Sequence, residues 1–155
     1  MDYPTLKTLH ILSSILLFGT GLGSAFYKYF ADRSGNLAAI AVTNRLVVLA
    51  DWLFTTPTVI IQPLTGFMLI HLLGFDWGAT WIVASLILYA IAGGCWLPVV
   101  WLQIRMREIS NHALVNNEPL PPLYHRYRRL WFWLGVPAFH AMVIIVVLMV
   151  FKPTI

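Results

Sequence analysis

Leu6–Phe26, LKTLHILSSILLFGTGLGSAF, limits the fold more than any other stretch of this chain. Apart from Lys7 near its start it carries no charge, and it is long enough to cross a bilayer as a helix. Three further apolar stretches follow, and no period-two alternation competes with a helical reading of any of them. A chain in lipid must satisfy its backbone internally, which leaves helices or a closed barrel. The expectation is therefore an all-α fold, a four-transmembrane-helix bundle with helices at about 4–30, 37–73, 79–105 and 127–151. Together these make a single membrane domain over 1–155.

Charge supports that choice. Only 10% of residues are charged and 59% are hydrophobic, against roughly 25% charged in soluble domains. The net charge of +4 is a topology signal. Lys28, Arg33, Arg45, Arg105, Arg107, Arg126, Arg128 and Arg129 fall on the side of the first and third connections, and Lys7 and Lys152 on the other. The positive-inside rule then predicts both the N-terminus and the C-terminus outside, in a multi-pass protein of the bacterial inner membrane. This distribution lacks the solvated basic surface that nucleic-acid binding needs. Cys95, the one cysteine, excludes an internal disulfide and a Cys-x-x-Cys site. MDYPTLK lacks a basic leader region, so the first apolar stretch is expected to be retained.

The connections read as follows. Ala31–Gly35, ADRSG, is a turn, and Phe75–Gly78 a short reversal. Arg105–Arg129 is a polar loop whose 118–122 stretch, with three prolines, breaks any helix. Pro57 and Pro63 kink the second span. Trp77, Trp81, Trp131 and Trp133 fit an interfacial aromatic belt.

Polar residues recur at helical spacing inside the spans. His10, Ser14, Leu17, Gly21 and Ser24 share one face, and Asp51, Thr55, Thr58, Gln62 and Thr65 another. Ser85, Tyr89 and Gln103 form a third stripe, and His140 lies in the last span. Lipid cannot satisfy such groups, so these faces turn toward other helices. Counted at ~1.5 Å per residue, His10, Ser14, Gln62, Tyr89 and His140 all reach the outer half of the membrane. Two histidines on different helices can ligate haem iron. His10 is the candidate axial and metal ligand and His140 a second ligand, with Tyr89, Gln62 and Ser14 as pocket partners of haem b. Gly19, Gly21, Gly23, Gly93 and Gly94 would let a flat ring approach the backbone. The alternative is packing: His10 hydrogen-bonds Tyr89 or Gln62, and the Gly19-x-x-x-Gly23 pair seats a neighbouring helix. Asp51 either relays protons or pairs with Arg45 or Arg105. No catalytic triad, phosphate loop or zinc-protease motif is present.

HILSSILLFGTGLGSAF, ADWLFTTPTVIIQPLTGF, LYAIAGGCWLPVVWLQIRMR and PAFHAMVIIVVLMVFKP together resemble a bacterial family of predicted integral membrane proteins of unknown function. That resemblance implies a four-helix inner-membrane protein. Leu6-Lys7-Thr8-Leu9-His10-Ile11 is also similar to the opening of the haem-carrying membrane protoporphyrinogen oxidase of bacteria, in which a first-helix histidine is essential and associated with haem. His10 is the position that carries over. Ala25 and Phe26 stand where that family has a Pro-Arg pair, and the third span has no lysine. Copper-resistance membrane domains share the helix plan, without a matching methionine cluster here. Three functions remain open: a haem-b protein serving electron transfer or a redox partner, a membrane scaffold or accessory subunit, and small-solute or proton transport along a polar stripe. The expected partners are the lipid bilayer and either a second copy or another membrane protein.

Overall fold

The structure is a computed structural model and describes residues 2–153. Five α-helices are present: α1 (Tyr3–Ser34), α2 (Leu37–Ala50), α3 (Thr56–Leu73), α4 (Thr80–Asn116) and α5 (Pro122–Phe151). A π-helical turn, Asp51–Thr55, joins α2 to α3, so these two make one continuous span. Four helical stretches are then long and apolar enough to cross a membrane, and no strand occurs among the described residues.

Local chemistry explains the boundaries. The Asn36 side chain accepts the Ala39 N–H at 3.1 Å and caps α2. Gly35 and Gly74 stop α1 and α3 in the left-handed region, each at φ 66°. Before Pro57 the backbone widens, with Thr56 N–H bonding the Asp51 carbonyl five residues back. Pro63 has no N–H for the Val59 carbonyl. The Tyr89 hydroxyl of α4 fills that gap, donating to the Val59 carbonyl at 2.5 Å.

Three expected boundaries are corrected. The ADRSG stretch is helical through Ser34, because Lys28 and Asp32, one turn apart, both face inward and pair there. The polar loop from Arg105 shrinks to 117–121, because Met106, Ser110 and Ala113 continue a buried face to the end of α4. Pro122 starts α5 at its first turn, where a missing N–H is harmless. The aromatic belt is half right. Trp77 and Trp133 are exposed, whereas Trp81 and Trp131 are buried in the packing.

The bundle is packed at its two ends. At one end Ile40, Val99, Leu102, Met106, Tyr124 and Trp131 form a cluster near the α1–α2 and α4–α5 connections. At the other, Ile70, Trp81 and Ile82 pack with Phe75, Leu148 and Met149. Lys152 Nζ lies 4.8 Å over the Phe75 ring there, so the end of α5 meets the α3–α4 connection. α1 rests on α2 and α3, and α4 on α5 and α2, while the backbones of α1 and α5 stay apart along most of their length and meet through side chains. The middle of the bundle is left open between these halves.

Candidate functional site

A cavity of ≈ 340 Å³ occupies that opening, walled by α1, the π turn with the start of α3, α4 and α5. Its walls are mainly apolar side chains, including Leu17, Phe18, Val59, Phe132 and Phe139. Three glycines on three helices, Gly21, Gly93 and Gly135, line it. No heavy atom lies within 4 Å of where a Cβ would stand at any of them. The same holds for Gly19 and Gly23. The expected seating of a helix on the Gly19-x-x-x-Gly23 pair therefore does not occur within the chain.

The polar part of the wall comes from the π turn and α4. Thr55 Oγ1 donates to Asp51 Oδ1 at 2.9 Å. Oriented by its surroundings, the Gln103 amide donates to Asp51 Oδ2 and accepts from Trp131 Nε1 at 3.2 Å. Asp51 is thus held by neutral donors. The expected pairing with Arg45 or Arg105 is not formed. Arg45, six residues earlier, is exposed roughly 240° around the helix, and Arg105 pairs with Glu108 at 2.8 Å. Trp96 also lines the cavity, and its indole N–H is buried with no partner among the described residues. A buried donor left unpaired costs about 1–3 kcal/mol.

The five expected pocket residues divide. His140 and Tyr89 line the cavity; His10, Gln62 and Ser14 do not. His140 Nδ1 sits 2.8 Å from the Val136 carbonyl. A carbonyl only accepts, so Nδ1 carries a proton there. Tyr89 spends its proton on Val59. His10 instead faces α3, where Nδ1 meets Thr65 Oγ1 at 2.8 Å and its ring edge lies 3.4 Å from a Cβ built on Gly66. Gln62 Nε2 donates to the His10 carbonyl at 2.9 Å. These contacts stitch α1 to α3, with the imidazole on Thr65 and Gln62 on the His10 backbone. Ser14 returns its hydroxyl to the Ile11 carbonyl of its own helix at 2.8 Å. Among the described residues no three His, Cys, Asp or Glu side chains gather as a metal site. The whole stripe Asp51, Thr55, Thr58, Gln62 and Thr65 is buried, as its periodicity predicts.

A second polar centre has no counterpart in the sequence reading. Lys28, only 1% exposed, donates to Asn44 Oδ1 at 2.5 Å and to Asp32 Oδ2 at 3.1 Å. The Tyr124 hydroxyl donates to Asp32 Oδ1 at 2.5 Å. Asn44 Nδ2 donates to Tyr124 Oη at 2.9 Å and Ser110 Oγ at 3.0 Å. Lys28 Nζ lies 5.3 Å from the centre of the Trp131 ring. Lys28 thus joins α1, α2 and α5, and Asn44 extends the cluster to α4. Lys28 stands ~38 Å along α1 from Tyr3, a longer distance than the ~30 Å of a hydrocarbon core. The signals present in sequence are an i,i+4 Lys–Asp pair and an asparagine inside an apolar run.

A family model described as "Predicted integral membrane protein (DUF2269)" matches residues 4–153. The chain belongs to that family. No curated protein and no solved structure matches it. For this DUF2269 protein the match spans both polar centres and every wall of the cavity. Its broad outward surface of Ile15, Leu46, Ile60, Ile87 and Val150 is the lipid-facing side of an integral membrane protein.

Proposed function

We propose that this protein holds a lipophilic small molecule in the cavity between its helix pairs. The observation that carries this reading is that three walls of one cavity each carry a glycine, Gly21, Gly93 and Gly135, with open space beside each. Glycine inside a helix costs about 0.5–1 kcal/mol against alanine, and three such positions keep a space that alanine or leucine would narrow. A volume of ≈ 340 Å³ lies within the ~300–1,000 Å³ of small-molecule sites, and apolar walls with few polar groups are their usual composition. The basic residues near the connections at 34–37 and 117–121 support a cytoplasmic side there in a bacterial inner membrane.

Haem b is a second reading of the same cavity. Its support is His140, whose Nδ1–H is fixed by a backbone carbonyl in the manner of histidines that ligate through Nε2. Bound there, haem would supply electron transfer. His10 faces Thr65 and would not be its partner.

The test is purification from native membranes in mild detergent, then organic extraction, mass spectrometry and a visible spectrum, for wild type and Gly93→Phe. The reading expects one apolar compound near stoichiometric amount in wild type and its depletion in the folded variant. A Soret band lost in His140→Ala would identify haem. Equal extracts from both proteins would overturn the proposal.

A further inference from the structure

A second cavity of ≈ 260 Å³ opens beside the first, between the end of α1 and the start of α5. Arg33, Arg128 and Arg129 line it, with Asp32 as its one carboxylate. That carboxylate is already committed, one oxygen to Lys28 and the other to Tyr124. No arginine of the three forms an ion pair with an acid among the described residues. Arg33 Nη1 donates to the Tyr29 hydroxyl at 3.2 Å, and Arg128 Nη1 approaches the Asp32 backbone carbonyl at 3.4 Å. These contacts orient two guanidinium groups without neutralising them. Other arginines at this end differ: Arg105 is paired with Glu108, and Arg45, Arg107 and Arg126 line neither cavity.

Tyr29, Trp131 and Phe132 belong to the walls of both cavities. A basic recess at the membrane boundary therefore adjoins an apolar chamber at membrane depth. Guanidinium forks match phosphate oxygens, and basic pockets between spans on the cytoplasmic side suit anionic lipid head groups. We infer that the ligand is an anionic phospholipid, its phosphate held by Arg33, Arg128 and Arg129 and one acyl chain laid past Trp131 and Phe132 into the glycine-lined chamber. This rests on the reading of the chamber as a ligand site and names its ligand class.

The experiment uses the full-length protein in detergent, with brominated-acyl phosphatidylglycerol or brominated-acyl phosphatidylcholine added, and reads quenching of tryptophan fluorescence. Trp131 stands on both walls and Trp133 on the basic one. The inference expects phosphatidylglycerol to quench with an apparent affinity more than about tenfold tighter. It expects that preference to vanish in Arg33→Gln/Arg128→Gln/Arg129→Gln. Arg33→Gln/Arg129→Gln, at two exposed positions, should reduce it and guards against misfolding of the triple variant. Gly93→Phe should weaken quenching by both lipids. Equal quenching by the two lipids in wild type overturns the inference, as does a preference that survives the triple variant. A neutral compound found by extraction, with no head-group preference, overturns the inference and leaves the chamber reading standing. No bound compound and no quenching overturn both.

Discussion

The Lys28 centre and the glycine-lined chamber put polar atoms into the same bundle in opposite ways. Around Lys28 the donors and acceptors close on one another: ammonium to carboxylate and amide, hydroxyl to carboxylate, amide to hydroxyl. Apolar packing from Ile40, Met106 and Trp131 seals it. Around the chamber Asp51 and Gln103 are fixed, yet the N–H of Trp96 has no partner among the described residues, and three glycines have open space beside them. A polar cluster that saturates itself holds helices together. One that leaves valences and volume unfilled is arranged for something else. Trp131 joins the two, with its ring beside Lys28 and its N–H on Gln103.

The largest effect should come from breaking the closed centre. Lys28→Met leaves the Asp32 carboxylate buried without its cation, at a cost of about 3–5 kcal/mol. Unfolding in detergent by a graded denaturant should show it, and adding Asp32→Leu should recover part of the loss, as a buried pair replaced whole is tolerated better than one halved. Tyr124→Phe, which removes one donor to Asp32, should cost about 1–3 kcal/mol in the same assay. If Lys28→Met is neutral, the contrast between the two centres fails on its structural side.

A smaller effect tests the link across the chamber. Tyr89→Phe strands the Val59 carbonyl and should destabilise by about 1 kcal/mol. Pro63→Ala supplies the missing N–H, so in the double variant the tyrosine should matter less. A double-mutant cycle should give a coupling of about 0.5–3 kcal/mol. Additivity would show that Tyr89 does not serve the proline.

The smallest effect has the opposite sign. Gly21→Ala, Gly93→Ala and Gly135→Ala should each stabilise by about 0.5–1 kcal/mol, because an alanine Cβ meets no neighbour and glycine is the poorer helix former. Gain in stability with weaker ligand retention would sharpen the comparison. Loss of stability would mean those glycines are packing positions after all.

How much of this is legible in the sequence follows from the range of each interaction. Apolar length marks the four spans, and period 3.6 marks the buried face from Asp51 to Thr65, since both are local properties. Helix ends at Ser34 and Asn116 are hidden because polar composition imitates a loop. What keeps those turns helical is a partner on another helix: Asn44 for Lys28 and Tyr124 for Asp32 on α1, and Asn44 for Ser110 on α4. Helix depth brings His10 and His140 toward the same half of the membrane, but depth does not give rotation about the bundle. His10 turns to α3 and His140 to the chamber. Gly21 and Gly93 stand out as small residues. That they border a space, together with Gly135, follows only from how four helices fail to close.

The most direct test of the chamber as a ligand site is the melting temperature of the purified protein before and after exhaustive delipidation, then with anionic phospholipid restored. A molecule bound to the folded state raises the melting point by mass action. The account predicts a fall on delipidation that added lipid reverses in wild type, with neither change in Gly93→Phe. An unchanged melting point in delipidated wild type would contradict it.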